Sequence, residues 1–556
     1  MMKRMNKLTA LLLAVLLLIS LISCGGAESG MDLFGDNKAN LSTGPNYNGG
    51  TNGAVTGGNA DRDEGEDGDV ENAPAEDEVD GAPELEAPED GFFEEDIPSV
   101  EEPKPEIFVE NAFINTSVSN ISTLSADVDT ASYTYFRKLI NDGGMWEHLA
   151  RNPYAFRTEE FINYFNYADA KNPENGQLFG VATSLFPCPW NEESVILRAT
   201  LQAAEAPPVT GNNLVFLIDV SGSMMSADKL PLLKRAFGYL VDQLGDTDLI
   251  SIVTYSGREQ VVLEGCEGTN KMQILSAING LVASGSTNGE AGLQEAYRIA
   301  AENFIEGGNN RIIMASDGDL NVGISSAEEL KNYVSAQREN DIYLSVLGFG
   351  MGNYRDANME ALADNGNGVY YYIDGEQEAE KVFCTDLLGT LYTVAEDVKL
   401  QLTFDSDLVA AYRLIGYENR LLNEDDFTDD TKDAGEIGSG HTVTVCYELR
   451  LNEGAMEDGA QWMRLAVNYK HPGENTSVVP EEYAIGYADY SATLTEDAKF
   501  LSCVIEVCML IHGSEHLGAE FTLGQIINEL NAMDFSDFPE RAEFAALLKK
   551  LNDSVN

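Results

Sequence analysis

Three short segments of this sequence place oxygen-bearing side chains where they could bind a metal ion together. In the first, Asp219, Ser221 and Ser223 alternate with Val and Gly directly after a run of apolar residues. In the second, Thr287 lies in a Gly-Ser-Thr-Asn-Gly stretch before a predicted helix, and in the third, Asp317 follows another apolar run. Hydroxyl and carboxylate oxygens are the hard ligands that Mg²⁺ prefers.

These side chains suit binding better than catalysis. Neutral hydroxyls leave much of the charge of a bound cation unbalanced, so a carboxylate from a second molecule could complete the coordination. A serine nucleophile would need an adjacent base, and no histidine lies near these serines in sequence. Asp319 is the one further acid of the third segment that could act as a general base on a metal-bound water. We interpret it as an exposed turn residue, which leaves a metal-dependent hydrolase as an alternative.

The residues around these segments predict the scaffold that would position them. Short apolar runs alternate with stretches of helical periodicity, the runs at 214–218, 249–254, 311–315 and 342–347 and the helices near 227–244, 271–283, 288–305 and 325–339. Strands buried on both faces and alternating with helices are typical of a doubly wound, mostly parallel α/β sheet. Such sheets bind ligands at the carboxyl ends of their strands, which is where the first and third segments lie.

The three segments, in this order and context, resemble the von Willebrand factor type A (VWA) domain and its metal-ion-dependent adhesion site. The resemblance implies that Ser221, Ser223 and Thr287 are direct ligands of Mg²⁺, or of another hard ion such as Mn²⁺ or Ca²⁺. It implies that Asp219 and Asp317 act on the ion through ordered water, and that the ligand is a protein offering an acidic side chain. Asn288 departs from the family, where a smaller residue is more usual at that position.

The segments on either side of the VWA-like region predict a nested architecture. The strands predicted at 178–203 and those predicted at 396–490 are each too few to form a stable sheet alone. Together they would form one β-sandwich, with the α/β domain inserted between its two halves. We expect flanking helices at 130–141, 494–512 and 539–552. A further helix should begin after Thr158, which we expect to act as its N-cap. The flanks also resemble the N-terminal segment and C-terminal domain of a family of exported bacterial VWA proteins.

The N-terminal residues predict export and lipid anchoring. A basic start and an apolar stretch too short for an ordinary membrane span precede Leu-Ile-Ser-Cys24, which resembles the lipobox of bacterial lipoproteins. A plain secretory signal is the alternative. The predicted organisation is a signal peptide (1–23), a Gly/Asn-rich and then acidic tether (24–106), an N-terminal helical and β segment (107–210), the VWA domain (211–395) and a β-rich domain ending in helices (396–556).

The net charge excludes nucleic acid as a partner. The 556 residues contain 34 Lys and Arg against 93 Asp and Glu, a formal charge of −59, whereas binding phosphate backbones requires basic side chains. We interpret the six cysteines after Cys24 as buried small apolar residues, because no pair of them has zinc-ligand spacing.

Two acidic motifs imitate metal sites. Asp127 and Asp129 precede a predicted helix without a buried strand before them, so we expect Asp129 or Thr130 to cap that helix. The aspartates between 425 and 433 do not have the spacing of an EF-hand loop, and we interpret them as a solvated connection between strands, with a calcium-stiffened loop as the alternative.

The sequence therefore predicts a non-catalytic binding or adhesion protein on the extracytoplasmic face of a membrane, the cell membrane or an outer membrane. An assembly factor for another envelope complex is the second interpretation.

Overall fold

The protein is described by a computed structural model in residues 109–152, 156–174, 176–206, 210–285, 289–318, 327–338, 340–350, 356–386, 392–518 and 521–554. The predicted signal peptide, tether and Cys24 lie outside the described residues, and so do Thr287, Asn288 and Asp319. Predictions that concern them are not tested by the structure.

Seventeen strands are found in the described part of the chain: β1 Ile114–Asn115, β2 Ile121–Ser125, β3 Phe179–Pro187, β4 Ser194–Ala203, β5 Asn212–Asp219, β6 Leu249–Tyr255, β7 Glu259–Glu267, β8 Asn309–Ser316, β9 Tyr343–Phe349, β10 Tyr370–Ile373, β11 Thr393–Phe404, β12 Val409–Ile415, β13 Leu421–Leu422, β14 Gly435–Gly438, β15 Thr442–Leu451, β16 Gln461–Lys470 and β17 Glu481–Gly486. The α-helices of the same ranges are α1 Ala131–Asp142, α2 Met145–Arg151, α3 Thr158–Tyr164, α4 Leu230–Gln243, α5 Lys271–Asn279, α6 Glu290–Glu302, α7 Ala327–Arg338, α8 Asp356–Asn365, α9 Glu376–Lys381, α10 Glu496–His512, α11 Leu523–Leu530 and α12 Pro539–Asp553.

The central α/β sheet has the strand order β10-β9-β8-β5-β6-β7 and is parallel except for β7 at one edge. Successive side chains of β5 enter two different apolar cores: Phe216 lies in one cluster, and its neighbours Val215 and Leu217 lie in the other. Because side chains alternate across a strand, both faces of the sheet are covered by apolar groups. The predicted doubly wound fold is confirmed, and the antiparallel β7 is an edge strand that the apolar runs did not reveal.

The remaining strands form the predicted sandwich around this inserted region. One sheet has the order β1-β12-β15-β4-β3, and the other has the order β13-β2-β11-β16-β17, with β14 also paired to β11. The early strand β4 pairs with the late strand β15, with Leu197 opposite Tyr447, and β2 pairs with β11. Strands from both sides of the α/β region thus share the same sheets, which confirms the nested arrangement.

The flanking helices join the sandwich to the α/β region. In α1, Arg137 is 3% exposed and binds Asp374 and Glu378, which lie just after β10 and in α9. Its other amino group contacts Tyr164 of α3 and Glu543 of α12. One buried guanidinium therefore bridges four helices and the end of the central sheet.

The start of α3 differs from the predicted one by a residue. Arg157 occupies the N-cap position, Thr158 is the first helical residue, and no side-chain cap bond is found. The acids of the first turn point into the protein: Glu159 accepts a hydrogen bond from the Tyr417 N–H at 2.8 Å, and Glu160 accepts one from the Ser132 N–H at 2.6 Å. Tertiary partners, and not the helix terminus itself, thus determine how these side chains are used.

The later helices follow their predicted positions. Thr495 caps α10 through a hydrogen bond from the Ala498 N–H, and Gly513 ends the helix at φ 64°, a conformation that glycine adopts without strain. Within the described ranges no helix is both long and apolar enough to cross a membrane. All six described cysteines are free, and five are buried, as expected for small apolar residues.

Candidate functional site

The first segment lies in the turn that follows β5. Asp219 ends the strand with a fully buried side chain, and its Oδ1 accepts a hydrogen bond from the backbone N–H of Ser221 at 2.7 Å. Aspartate favours this kind of turn because its carboxylate can bind its own backbone two residues later. The turn fixes the direction of Ser221 and carries the chain into a short 3₁₀-helix at Gly222–Met225.

The two predicted serine ligands are adjacent. The hydroxyls of Ser221 and Ser223 share a hydrogen bond, with their oxygens 2.9 Å apart. Neighbouring ligands of an octahedral ion at roughly 2.1 Å from each oxygen are separated by about 3.0 Å. The structure therefore holds these oxygens at the spacing that two adjacent ligands of Mg²⁺ require, and the chemistry of the donor set fits a hard divalent cation.

The third segment reaches the same edge of the sheet because β8 is the parallel neighbour of β5. Asp317 directly follows β8 and is 4% exposed. The structure places a lysine beside it: Lys229 Nζ donates to Asp317 Oδ2 at 2.8 Å and to the Ser223 carbonyl at 3.0 Å. One ammonium therefore connects the first and third segments.

Lys229 was missed by reasoning from the sequence. It lies six residues after Ser223 and immediately before α4, so a signal existed: a cation next to the candidate ligands in a strongly acidic chain. Its stem passes under Gly350, which follows β9, and a Cβ atom on Gly350 would lie 2.1 Å from Lys229 Cε. With φ +77° as well, this position requires glycine if the lysine is to reach Asp317.

The second segment is held against the first by backbone hydrogen bonds. The Gly222 N–H donates to the Gly285 carbonyl at 3.0 Å, and the Ser284 N–H donates to the Val220 carbonyl at 2.7 Å. Thr287 itself lies outside the described residues. The structure therefore brings Asp219, Ser221, Ser223 and Asp317 together and leaves the role of Thr287 as a prediction.

Two large apolar side chains close in sequence to the first and second segments face solvent. Met225 ends the short helix that carries Ser223 and is 67% exposed, and Val282, shortly before Gly285, is 73% exposed. Exposed apolar side chains next to a polar site are typical of interaction surfaces.

The motif around Asp127 and Asp129 is not a helix cap. No side chain caps α1 at Thr130. Asp129 Oδ1 accepts a hydrogen bond from the Tyr370 N–H at 2.9 Å, and Asp127 Oδ1 binds Arg420 at 3.2 Å. Burial, together with the negative charge of Asp127, raises the pKa of Asp129. The predicted cap is therefore wrong, because these acids fasten α1 to the central sheet and to the loop after β12.

The aspartates between 425 and 433 use their carboxylates locally. Asp426 accepts a hydrogen bond from the Asn423 N–H, and Asp429 accepts one from the Thr431 N–H, both within the loop. Asp430 accepts hydrogen bonds from Ser477. These local hydrogen bonds agree with our interpretation of this segment as a connection between strands.

Comparison with known proteins divides the chain into the same regions. The von Willebrand factor type A domain family matches residues 213–384, a family described as von Willebrand factor matches 101–198, and a family described as "Uncharacterized protein YfbK, C-terminal" matches 389–553. Because VWA domains are generally non-enzymatic modules of protein interaction, the first match indicates an interaction or adhesion role.

The matches to individual relatives cover different lengths of the chain. The Escherichia coli (strain K12) protein named "Uncharacterized protein YfbK" is 37% identical over 475 residues, which are 81% of this chain and 80% of that protein. Human inter-alpha-trypsin inhibitor heavy chain H3 is 26% identical over 281 residues, 45% of this chain and 30% of that protein. Among solved structures, a von Willebrand factor type A protein from Catenulispora acidiphila matches with 15% identity and a TM-score of 0.38, over 70% of this chain and 89% of its own. The chain therefore belongs to the family of YfbK, in which a VWA domain precedes the YfbK C-terminal region.

Proposed function

We propose that this chain is a non-catalytic binding or adhesion protein that captures an acidic side chain of a protein partner through a Mg²⁺-dependent site. The observation that carries the proposal is the geometry of the first segment: Ser221 and Ser223 hydroxyls 2.9 Å apart, next to the buried carboxylates of Asp219 and Asp317. The predicted fifth residue is Thr287. When bound, Mg²⁺ would supply an open coordination position and the positive charge that attracts the partner.

The charges of the residues at the site, together with a bound divalent cation, favour an anionic group of the partner. Asp219 and Asp317 carry two negative charges, and the ammonium of Lys229 at Asp317 offsets one of them. A site that holds a divalent cation among these groups has one net positive charge. A carboxylate from the partner would neutralise it, so binding of the metal and binding of the partner would each strengthen the other.

The protein surface around the site supports contact with a protein rather than a free small acid. Met225, in the short helix that carries Ser223, exposes an apolar side chain, and Val282 exposes another shortly before Gly285. Apolar groups around a polar centre are the usual composition of an interface.

We further propose that the protein is held at the extracytoplasmic face of a membrane by a lipid on Cys24, the cysteine of the lipobox-like sequence. One lipid chain gives only reversible attachment, so the additional acyl chains usual in lipoproteins would be needed for a stable anchor.

The experiment uses Mn²⁺ as a spectroscopic substitute for Mg²⁺. Wild-type protein, Asp219→Ala and Asp246→Ala are titrated with Mn²⁺, and free Mn²⁺ is measured by electron paramagnetic resonance. Asp246 is an exposed aspartate before β6, at the opposite end of the sheet, and serves as the matched control. Because hydroxyls rather than carboxylates would contact the ion directly, we expect this site to bind Mn²⁺ with modest affinity in wild type and in Asp246→Ala when no partner is present, and at least tenfold more weakly in Asp219→Ala.

Partner capture is then compared in Mg²⁺ and in chelator. Wild-type protein immobilised on beads should retain a protein from an envelope extract only in Mg²⁺, and Asp219→Ala should retain none. Capture that persists in chelator, or Mn²⁺ binding that Asp219→Ala leaves unchanged, would contradict the proposed function.

A further inference from the structure

A second group of potential metal ligands lies between the C-terminal helices, in the region that matches the YfbK C-terminal family. Cys503 and Glu506 belong to α10 and Glu529 to α11. One ligand atom from each of the three lies within 4.8 Å of the others, and Cys503 Sγ is 3.9 Å from Glu529 Oε2. The spacing of three residues puts Cys503 and Glu506 on the same face of α10, so the third ligand comes from the neighbouring helix.

The burial of Glu506 is not explained by the protein groups around it. Its side chain is 1% exposed, and its Oε1 has no hydrogen-bond partner among the described residues. Burial, with the negative charge of Glu529 adding to it, raises the pKa of Glu506 to about 8. An unpartnered buried carboxyl costs free energy, and a cation at this position would remove that cost.

The thiol of Cys503, by contrast, has a partner, because it donates a hydrogen bond to Glu529 Oε2. Cys503 is fully buried, and burial raises the pKa of its thiol, with Glu506 and Glu529 adding to the shift. As a thiol it is a poor ligand, but metal ions bind the thiolate and displace the proton.

We propose that Cys503, Glu506 and Glu529 bind one divalent transition-metal ion, of which zinc fits best. Zinc accepts thiolate and carboxylate ligands together at roughly 2.0–2.3 Å, whereas a sulfur ligand disfavours magnesium. Three protein ligands leave the fourth tetrahedral position for water. Since Glu529 is exposed, the ion can enter from solvent, and the site would fasten α10 to α11.

The binding step has a defined proton balance. Because metal ions bind the thiolate, the proton of the Cys503 thiol passes to water as the ion binds, so binding should weaken as pH falls.

The test uses cobalt, which reports sulfur ligation by its colour. The full-length protein, freed of metal and reduced, is titrated with Co²⁺, and the thiolate-to-cobalt absorption in the near ultraviolet is recorded. We expect this absorption for wild type, its loss on adding zinc, and its absence in Cys503→Ser. Cys508→Ser is the matched control, because Cys508 lies in the same helix, is 1% exposed and is outside the cluster.

Further variants distinguish metal binding at this site from metal binding at the VWA site and from an effect of misfolding. Asp219→Ala should keep the cobalt absorption, since no cysteine is near Asp219 in the described turn. Glu529→Gln changes an exposed side chain and should fold. We expect this variant to bind Co²⁺ at least tenfold more weakly than wild type. Absence of the absorption in wild type would overturn the proposal, and so would unchanged Co²⁺ affinity in Glu529→Gln.

Discussion

Replacing Arg137 by methionine tests how strongly the buried ion pairs of Arg137 with Asp374 and Glu378 stabilise the fold. The guanidinium Nη2 is 2.6 Å from Asp374 Oδ1 and 2.7 Å from Glu378 Oε2, and the two acids are 7% and 1% exposed. Methionine keeps the apolar stem and removes the charge. Both carboxylates would then remain buried without their cation, in the region that joins β10 to α9.

The expected loss follows from this burial. Breaking a buried ion pair by removing one partner costs about 3–5 kcal/mol of unfolding free energy. The third acid, Glu543, is 26% exposed and should contribute less than about 1 kcal/mol. Arg137→Met should therefore be about 3–5 kcal/mol less stable than wild type at pH 8.

The loss should shrink in acid. Burial raises the pKa of Asp374 even though Arg137 lowers it, and the variant has no guanidinium to oppose that rise. The folded state of Arg137→Met would therefore hold protons that the unfolded state releases, so its stability rises as pH falls. At pH 5 we therefore expect the difference from wild type to be smaller than at pH 8.

Urea unfolding measured by circular dichroism at pH 8 and pH 5 provides the assay, and Arg235→Met provides the control. Arg235 binds Glu376 at 3.2 Å in the same helix as Glu378, but the pair is 48% and 55% exposed, so its loss should cost less than about 1 kcal/mol. If Arg137→Met were within 1 kcal/mol of Arg235→Met at pH 8, or were more destabilising at pH 5, the reasoning would be wrong.

Three further measurements test other parts of the structure. Lys229→Met should bind Mn²⁺ up to about tenfold more tightly than wild type, because Asp317 no longer shares its charge with an ammonium; weaker binding in a titration would show that the lysine mainly orients the site. The pKa of Glu159 is raised to about 8 by burial and by Glu418, so the folded state holds this proton more tightly than the unfolded state and stability falls as pH rises from about 5 to 8. Glu159→Gln can still accept the hydrogen bond from Tyr417 and should show a smaller decline in a series of melting temperatures, with the remainder due to other buried acids such as Glu506; an unchanged decline would assign all of it to other groups. A chain that begins at Ile107 should melt within about 2 °C of the mature protein, as expected if the predicted tether adds nothing to the fold; a drop of several degrees would disprove that interpretation.

The positions of the elements were predictable wherever a local pattern determines them. The apolar runs before Asp219 and Asp317 locate two neighbouring strands, and strands buried on both faces leave few arrangements other than a parallel sheet covered by helices. The helix α10, at Glu496–His512, lies where the sequence predicts a helix at 494–512. Because these signals act over a few residues, the sequence alone contains them.

The uses of the charged side chains were not predictable from local patterns. Asp129 and Thr130 had the spacing of a cap, yet Asp129 binds the backbone of Tyr370, 241 residues later. Glu159 and Glu160 had the position of helix-terminus acids, yet both turn inward to distant amides.

The sequence by itself determined the order of strands and helices and most of the candidate metal ligands, since Asp219, Ser221 and Ser223 lie in one turn. Only the tertiary structure decided that Lys229 reaches Asp317 and that Glu529 approaches Cys503. The physical reason is the same in each case: a buried charged or polar group must find a partner wherever the folded chain supplies one, and that partner need not be near in sequence.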